Sequence, residues 1–525
     1  MHNAYLQGIF FEGGQSSCFS RRNKMKILLI NPSVGFHSRT PVTPLGLLSI
    51  ATYLKERGYV VRMWDRDVKR IDLQDMLADF QPDVIGISVI SAFGLRDAME
   101  MSKTLRMQGL PVVWGGAMPS TEPRMVLQEG CADYVVISEG EMTFHELLTA
   151  LEKKTPIRDV AGIAYLNEAG EVVRTPERPF ADLAELPVID WSFVDPTRYF
   201  QRYIGCQRMI YTYNAKGCPA QCTFCFNQYY HKCRYRKRPN EFVLSEIREL
   251  IEKYGADGIY FADEMFGAKR ADIRDFCESV QRMNLKFAWG CQTRVGQIAR
   301  EDLQMMYDAG CRWMFFGVES GNPEILKKIK KGINFNHIEQ VFYDCREVGI
   351  ATVGSFILDF PKETYEQIRD TVHTVLRLNP TVAVVNLLFA FPGTAIYDEV
   401  VENGMLSPIK TLAEWSAISL EEKKGKKYSD VPTKDLYVIQ SFFNWQSFFH
   451  KNALGSGKRF DLAFKAVSET LQHVTSQGIA QGMRVLYSAA KLFFHVFYYR
   501  FAFPKILRKY DLHKKNFGRN FERST

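Results

Sequence analysis

Residues 214–228, NAKGCPAQCTFCFNQ, carry Cys218, Cys222 and Cys225 in the spacing C-x3-C-x2-C. Thiolates are soft ligands, suited to iron–sulfur clusters and zinc. A structural zinc takes four ligands and a disulfide takes two. Three thiolates this close predict a metal centre with one position left open. They can hold three irons of a [4Fe–4S] cube and leave the fourth iron free for another ligand. The competing reading is a zinc knuckle with Cys233 or His231 as fourth ligand, but the resulting C-x3-C-x2-C-x7-C spacing is unusual for zinc. Cys206 and Cys233 are expected near the site without ligating. Cys277, Cys291, Cys311 and Cys345 read as small core residues, with Cys291 at a strand end where it could face a cavity.

The elements that position this loop follow from hydrophobic patterning. KILLIN (26–31), VVRMW (60–64), VIGISV (84–89), PVVWGG (111–116) and DYVVISEGE (133–141) read as strands, alternating with helices over 45–58, 94–108 and 121–130. Strand–helix alternation predicts parallel βαβ units, here an open doubly wound Rossmann-like sheet. A second alternation begins with RMIYTYNA (208–215), which runs into the cysteine loop. It continues through GIYFADE (258–264), KFAWGCQT (286–293), WMFFGVESG (313–321), TVGSFILDF (352–360) and VAVVNLLFAF (382–391). Six such strands predict a partial (β/α)6 barrel of the TIM type. The cysteines come just after its first strand, at the carboxyl end where barrels gather ligands.

The expected organisation is a disordered leader (1–24), a first α/β domain (25–155), and a connector (156–205) holding short strand pairs such as GIAYLNEAGEVVRT (162–175). A barrel (206–410) and a helical C-terminal region with a basic tail (411–525) follow. The chain has 525 residues, 46% hydrophobic and 24% charged, an ordinary globular composition. Its formal charge of +8 resides wholly in residues 481–525, which hold ten Lys or Arg against two acids. An odd total of 11 cysteines argues against a disulfide framework and for a reducing, cytoplasmic setting. The leader shows no apolar run with a cleavage site.

C-x3-C-x2-C with Phe224 before its last cysteine resembles the signature of the radical S-adenosylmethionine superfamily. There the methionyl amine and carboxylate chelate the open iron, and one electron from the cluster yields a 5′-deoxyadenosyl radical. Further resemblances lie on successive strands. Asp263 or Glu264 in FADEMFG would receive the methionine ammonium. Arg294 in TRVGQI would meet the carboxylate or the substrate, and Glu319 in FFGVESG resembles the ribose-binding acid. VGSFILDFPKET (353–364) resembles the strand that passes the adenine, and FAFPGTAIYD (389–398) the sixth-strand turn. A lone strand-end acid is more often a solvated turn residue; five motifs in order behind the cysteines carry the resemblance together.

The first domain has no G-x-G-x-x-G after its first strand, only NPSVGF (31–36), which disfavours a dinucleotide. PVTPLGLL, GISVISAF, VVWGGAMPS and VISEGEMTF are instead similar to cobalamin-binding domains of radical enzymes. This group includes class B methyltransferases and the anaerobic magnesium-protoporphyrin ester cyclase-like enzymes. A corrin is large and flat, so strand ends facing it need small residues; Ser88, Ser91, Gly115 and Gly116 supply them, and Glu139 and Gly140 form the next turn. The D-x-H-x-x-G sequence of many such domains is missing, and His37 reads as a loop histidine. The resemblance then implies cobalt without a strong lower ligand.

These resemblances imply an enzyme using a [4Fe–4S] cluster, S-adenosyl-L-methionine and cobalamin to C-methylate an unactivated carbon of a small-molecule or lipid-like substrate. They imply an electron donor such as flavodoxin or ferredoxin. The alternatives are oxidative cyclisation or rearrangement with the same cofactors, and a non-catalytic cobalamin or redox sensor. Residues 485–503, VLYSAAKLFFHVFYYRFAF, are apolar but interrupted by Lys491, His495 and Arg500. That pattern argues against a membrane span and leaves a buried helix or a peripheral membrane contact. No nucleic-acid module accompanies the basic tail.

Overall fold

The computed structural model describes residues 24–34, 41–90, 92–421 and 428–448; the expected leader, His37, Ser91 and the 485–503 segment lie outside them. The first sheet contains β1 (Lys26–Asn31), β2 (Val60–Asp65), β3 (Val84–Ser88), β4 (Val112–Gly115) and β5 (Tyr134–Val136), all parallel in the order β2-β1-β3-β4-β5. The four central residues of β1 are buried because helices cover both faces of the sheet. Helices Leu45–Glu56 and Glu141–Lys153 pack on one face through Leu47, Ala51, Phe144 and Leu148; Leu95–Met107 packs on the other through Leu95, Ala98 and Met101. Gly86 makes this close approach feasible, since a Cβ there would lie 2.8 Å from Leu29 Cδ2 and 3.1 Å from Phe144. The strand expected over 133–141 is confined to β5, and Glu141 already opens a helix. The connector's hairpin, β6 (Ile163–Leu166) and β7 (Val172–Arg174), extends the first sheet by antiparallel pairing onto β5.

The second sheet is built from β8 (Gln201–Tyr203), β9 (Cys206–Thr212), β12 (Gly258–Phe261), β13 (Ala288–Thr293), β14 (Cys311–Glu319), β15 (Ala351–Leu358) and β16 (Val382–Leu387). Its six parallel strands run in sequence order from β9 to β16, with β8 antiparallel on the β9 edge. A two-stranded ribbon, β10 (Ala215–Lys216) with β11 (Arg236–Lys237), brackets the cysteine loop. One face of the sheet packs Ile210, Phe261, Trp289, Met314 and Phe316 beneath the helices. The other face, inside the half-barrel, carries Met209, Tyr211, Tyr260, Trp313, Phe315 and Val353.

An open barrel leaves β16 with unpaired backbone groups, which invite association. Helix Thr433–Phe448 covers them, and the Asn444 side chain acts as a substitute strand. Val385 N–H donates to Asn444 Oδ1 at 2.8 Å, and Asn444 Nδ2 donates to the Val385 carbonyl at 3.0 Å. The connector ties the two sheets together: Asp190 N–H donates to Thr52 Oγ1 (3.0 Å), Ile189 N–H to Glu246 Oε1 (2.7 Å) and Tyr199 O–H to Asp65 (3.0 Å). Among the described residues no helix is long and apolar enough to cross a membrane. The ten described cysteines are free thiols.

Candidate functional site

The carboxyl ends of both sheets face each other, and a cavity of about 420 Å³ lies between them. Ser88, Gly115, Gly116, Glu139 and Gly140 line it from the first sheet; Tyr211, Lys216, Phe226, Tyr230, His231 and Glu264 line it from the second. Gly116 has φ +105°, and a Cβ there would lie 2.6 Å from the Val89 carbonyl, so only glycine fits this turn. A Cβ at Gly115 would meet nothing closer than 3.8 Å, so its absence widens the cavity. Glu139 does not present a free carboxylate: it accepts from Arg236 (2.9 and 2.5 Å) and lies 3.6 Å from Lys216.

Lys216 is the hinge of this arrangement. Its ammonium donates to Glu141 Oε1 at 2.9 Å, and Ser49 donates to the same oxygen at 2.6 Å. Burial alone would raise the Glu141 carboxyl, but the Lys216 charge and the Ser49 hydroxyl outweigh it and hold it below the usual range. A second clasp joins Ser138 and Tyr230, whose hydroxyls each donate to the other's carbonyl, at 3.1 and 2.9 Å. The cysteine loop is thereby fastened to the first domain at both ends.

Within the loop, side chains satisfy the backbone. Asn227 Nδ2 donates to the Cys218 carbonyl and Gln228 Nε2 to the Cys222 carbonyl, each at 2.7 Å. Gly217 has φ +83°, and a Cβ there would lie 2.0 Å from the Arg234 carbonyl. Burial raises the Cys218 thiol and pushes Cys225 up to about 11, with the neighbouring cysteines adding to both. The three cysteines are therefore neighbours. Yet among the described residues no three His, Cys, Asp or Glu side chains converge on a single ion. Phe224 packs edge-on against Phe360 at 6.5 Å.

Asp263 and Glu264 face the loop's own backbone. Asn214 N–H donates to Asp263 Oδ1 (2.7 Å) and Gly217 N–H to Glu264 Oε2 (2.8 Å), while His231 Nε2 lies 3.2 Å from Glu264 Oε1. Burial pushes Asp263 well above the usual carboxylate range, and its Oδ2 has no partner. Burial also raises Glu264, but the His231 and Gly217 hydrogen bonds overcome it and keep that carboxyl low. Arg294 and Glu319 belong to one chain of contacts: Arg294 Nη1 lies 3.6 Å from Cys222 Sγ, its Nη2 donates to the Lys331 carbonyl, and Lys331 Nζ donates to Glu319 Oε1 at 2.7 Å.

One sequence expectation is corrected. Cys206 opens β9, at the far end of a seven-residue strand from the loop, about 20 Å away at 3.3 Å per residue. Cys291 is the core residue expected, fully buried on the helix-facing side of β13 and not at the cavity. Cys233 Sγ donates to the Ala220 carbonyl at 3.4 Å, and His231 meets Glu264 through Nε2 while its buried Nδ1 is left without a partner. Lys216 and Lys331 escaped the sequence reading because their partners Glu141 and Glu319 lie on other elements, and no local spacing marks them; His231 was read only as a possible zinc ligand, not as the partner of Glu264.

Residues 33–148 match the B12 binding domain family, and residues 215–375 match the radical SAM superfamily. The chain is 26% identical over 452 residues to an uncharacterized methyltransferase of Pyrococcus horikoshii, covering 82% of this chain and 97% of the relative. It is 26% identical over 391 residues to the anaerobic magnesium-protoporphyrin IX monomethyl ester cyclase of Rubrivivax gelatinosus, covering 71% and 70%. Its fold is similar to that of the radical S-adenosylmethionine methyltransferase TsrM from Kitasatospora setae, solved with tryptophan substrate and a SAM analogue (TM-score 0.62, 24% identity, 72% of this chain and 76% of that one). Two domains of these kinds in this order, clasped so that the cysteine loop looks onto the strand ends of the first sheet, make the chain a cobalamin-binding radical S-adenosylmethionine enzyme.

Proposed function

We propose that the enzyme C-methylates an unactivated carbon of an apolar, partly aromatic small molecule. The observation that carries this reading is the cavity itself, shared by the small strand ends of one sheet and the cysteine-loop end of the other. When bound, a [4Fe–4S] cluster with S-adenosyl-L-methionine supplies a hydrogen-abstracting radical, and cobalamin supplies the methyl group.

The residues present fit these groups. Cys218, Cys222 and Cys225 offer three thiolates from one loop, in which Cys225 N–H donates to the Cys222 carbonyl at 3.0 Å, a soft donor set suited to an iron–sulfur cluster. Glu319 and Arg294, at the ends of β14 and β13, supply a carboxylate and a guanidinium for the polar parts of S-adenosyl-L-methionine. Ser88, Gly115 and Gly116 leave room for a flat ring. Asp263 and Glu264 each accept a loop N–H, and the unpartnered Oδ2 of Asp263 and the cavity-lining Glu264 remain the candidates for the methionine ammonium.

The apolar substrate class rests on the lining of the cavity. Tyr211, Tyr213, Phe226 and Tyr230 stand there beside Val42, Leu45 and Ile90, and Tyr211 packs edge-on against Tyr260 at 5.3 Å. Such a wall favours rings and hydrocarbon over charge. The cyclase relative supports oxidative ring formation as the second reading. An external electron donor and a reducing, cytoplasmic setting belong to the same proposal, the latter in keeping with the free thiols.

The test is cofactor content and product mass. Anaerobically purified protein should carry four irons per chain in the ratio a [4Fe–4S] cluster requires, and should retain cobalamin through dialysis. Product heavier by one methyl group supports methylation; product lighter by two hydrogens, with 5′-deoxyadenosine still formed, moves the assignment to cyclisation. Bound cofactors with no 5′-deoxyadenosine would indicate a sensor.

A further inference from the structure

We propose that Lys331 is a positioning residue that also sets the reduction potential of the metal centre held by Cys218, Cys222 and Cys225; this rests on the iron–sulfur reading of those cysteines. Lys331 follows the helix Pro323–Lys328 and is only 6% exposed. Its ammonium lies 2.7 Å from Glu319 Oε1. Glu319 holds a left-handed φ of 68°, which folds its carboxylate back over the strand. Gly317 provides the seat for the ion pair: a Cβ there would lie 2.3 Å from Glu319 Oε1 and 2.8 Å from Lys331 Nζ.

The same segment braces the cysteine loop. Thr223 N–H donates to the Ile329 carbonyl at 3.1 Å. The Lys331 carbonyl accepts from Arg294, whose other nitrogen lies 3.6 Å from Cys222 Sγ. A buried charge is weakly screened, so it acts over several ångströms. One-electron reduction adds one negative charge to the centre. A fixed cation beside it favours the reduced form, and a fixed anion opposes it.

This predicts shifts of opposite sign from two neighbouring substitutions, which mere disturbance of the loop would not produce. The experiment is an anaerobic redox titration of the reconstituted full-length protein with a low-potential one-electron reductant such as dithionite. It is followed by electron paramagnetic resonance, without S-adenosyl-L-methionine. Lys331→Met should make the centre roughly tenfold harder to reduce at a given potential, a shift of about 59 mV to more negative values for a one-electron couple. Glu319→Gln should shift it to more positive values, and Lys331→Arg should stay near the parent. Unchanged midpoints, or shifts of the same sign in Lys331→Met and Glu319→Gln, overturn the proposal. If Lys331→Met assembles no cluster, the sign for Glu319→Gln decides. A parent protein with no reducible cluster overturns the iron–sulfur reading itself, and this inference with it.

Discussion

Replacing Lys216 by Met probes how the two domains are joined. Lys216 and Glu141 have side-chain exposures of 18% and 5%, and Glu139, at 11%, keeps Arg236 when Lys216 is gone. Glu141 would lose its only cationic partner among the described residues and keep just the Ser49 hydroxyl and a backbone N–H for a buried negative charge. Breaking a buried pair by removing one partner costs about 3–5 kcal/mol. The partial exposure of Lys216 argues for the lower end, about 3 kcal/mol. At about 1.4 kcal/mol per decade, local opening of the β10–β11 ribbon should become roughly a hundredfold easier. Amide hydrogen exchange of peptides covering 211–237 reads this directly. The double variant Lys216→Met/Glu141→Gln should recover most of the protection, because no buried charge is then left unpaired. Unchanged exchange in Lys216→Met, or a double variant looser than the single one, would refute the reasoning.

Gly217→Ala places a side chain at positive φ against the Arg234 carbonyl. That costs at least about 1–3 kcal/mol locally, so the purified variant should fold by circular dichroism yet bind iron substoichiometrically; full iron content would count against it. Glu363 is fully buried, with Oε1 unpartnered, and burial pushes its carboxyl up to about 8. The folded state therefore holds a proton that the unfolded chain releases above its ordinary pKa, and stability falls as pH rises from about 4.5 to 8, by at most about 5 kcal/mol. Glu363→Gln should flatten the dependence of Tm on pH in that window, and parallel curves for the two proteins would contradict this. Asn444→Ala removes two hydrogen bonds to Val385, worth about 1–3 kcal/mol together. It uncovers the β16 edge, so light scattering on warming should begin earlier than in the parent.

The parallel strands were legible because each is a short apolar run ending in turn residues. The cysteine spacing was legible because its chemistry is local. The order of strand-end residues 263, 294 and 319 followed from counting the strands. What stayed hidden depends on contacts distant in sequence. Nothing within 75 positions of Lys216 announces that it will meet Glu141. Asp263 and Glu264 were legible as strand-end acids, but the loop N–H groups that each also receives were not. The 163–174 hairpin read as part of a connector, since its alternation carries no sign of which sheet it joins. Asn444 sits between Phe443 and Trp445 in an aromatic helical stretch, and its bonding to a strand edge is invisible without the open barrel beside it.

The central claim is that Cys218, Cys222 and Cys225 hold the centre that activates S-adenosyl-L-methionine opposite a cobalamin site. Its most direct test is 5′-deoxyadenosine, quantified by mass spectrometry after anaerobic incubation of the protein with S-adenosyl-L-methionine and dithionite. The parent should form it, and Cys222→Ala should form none while retaining cobalamin. A Cys222→Ala protein that still forms 5′-deoxyadenosine, or a cluster-loaded parent that never does, would contradict the account.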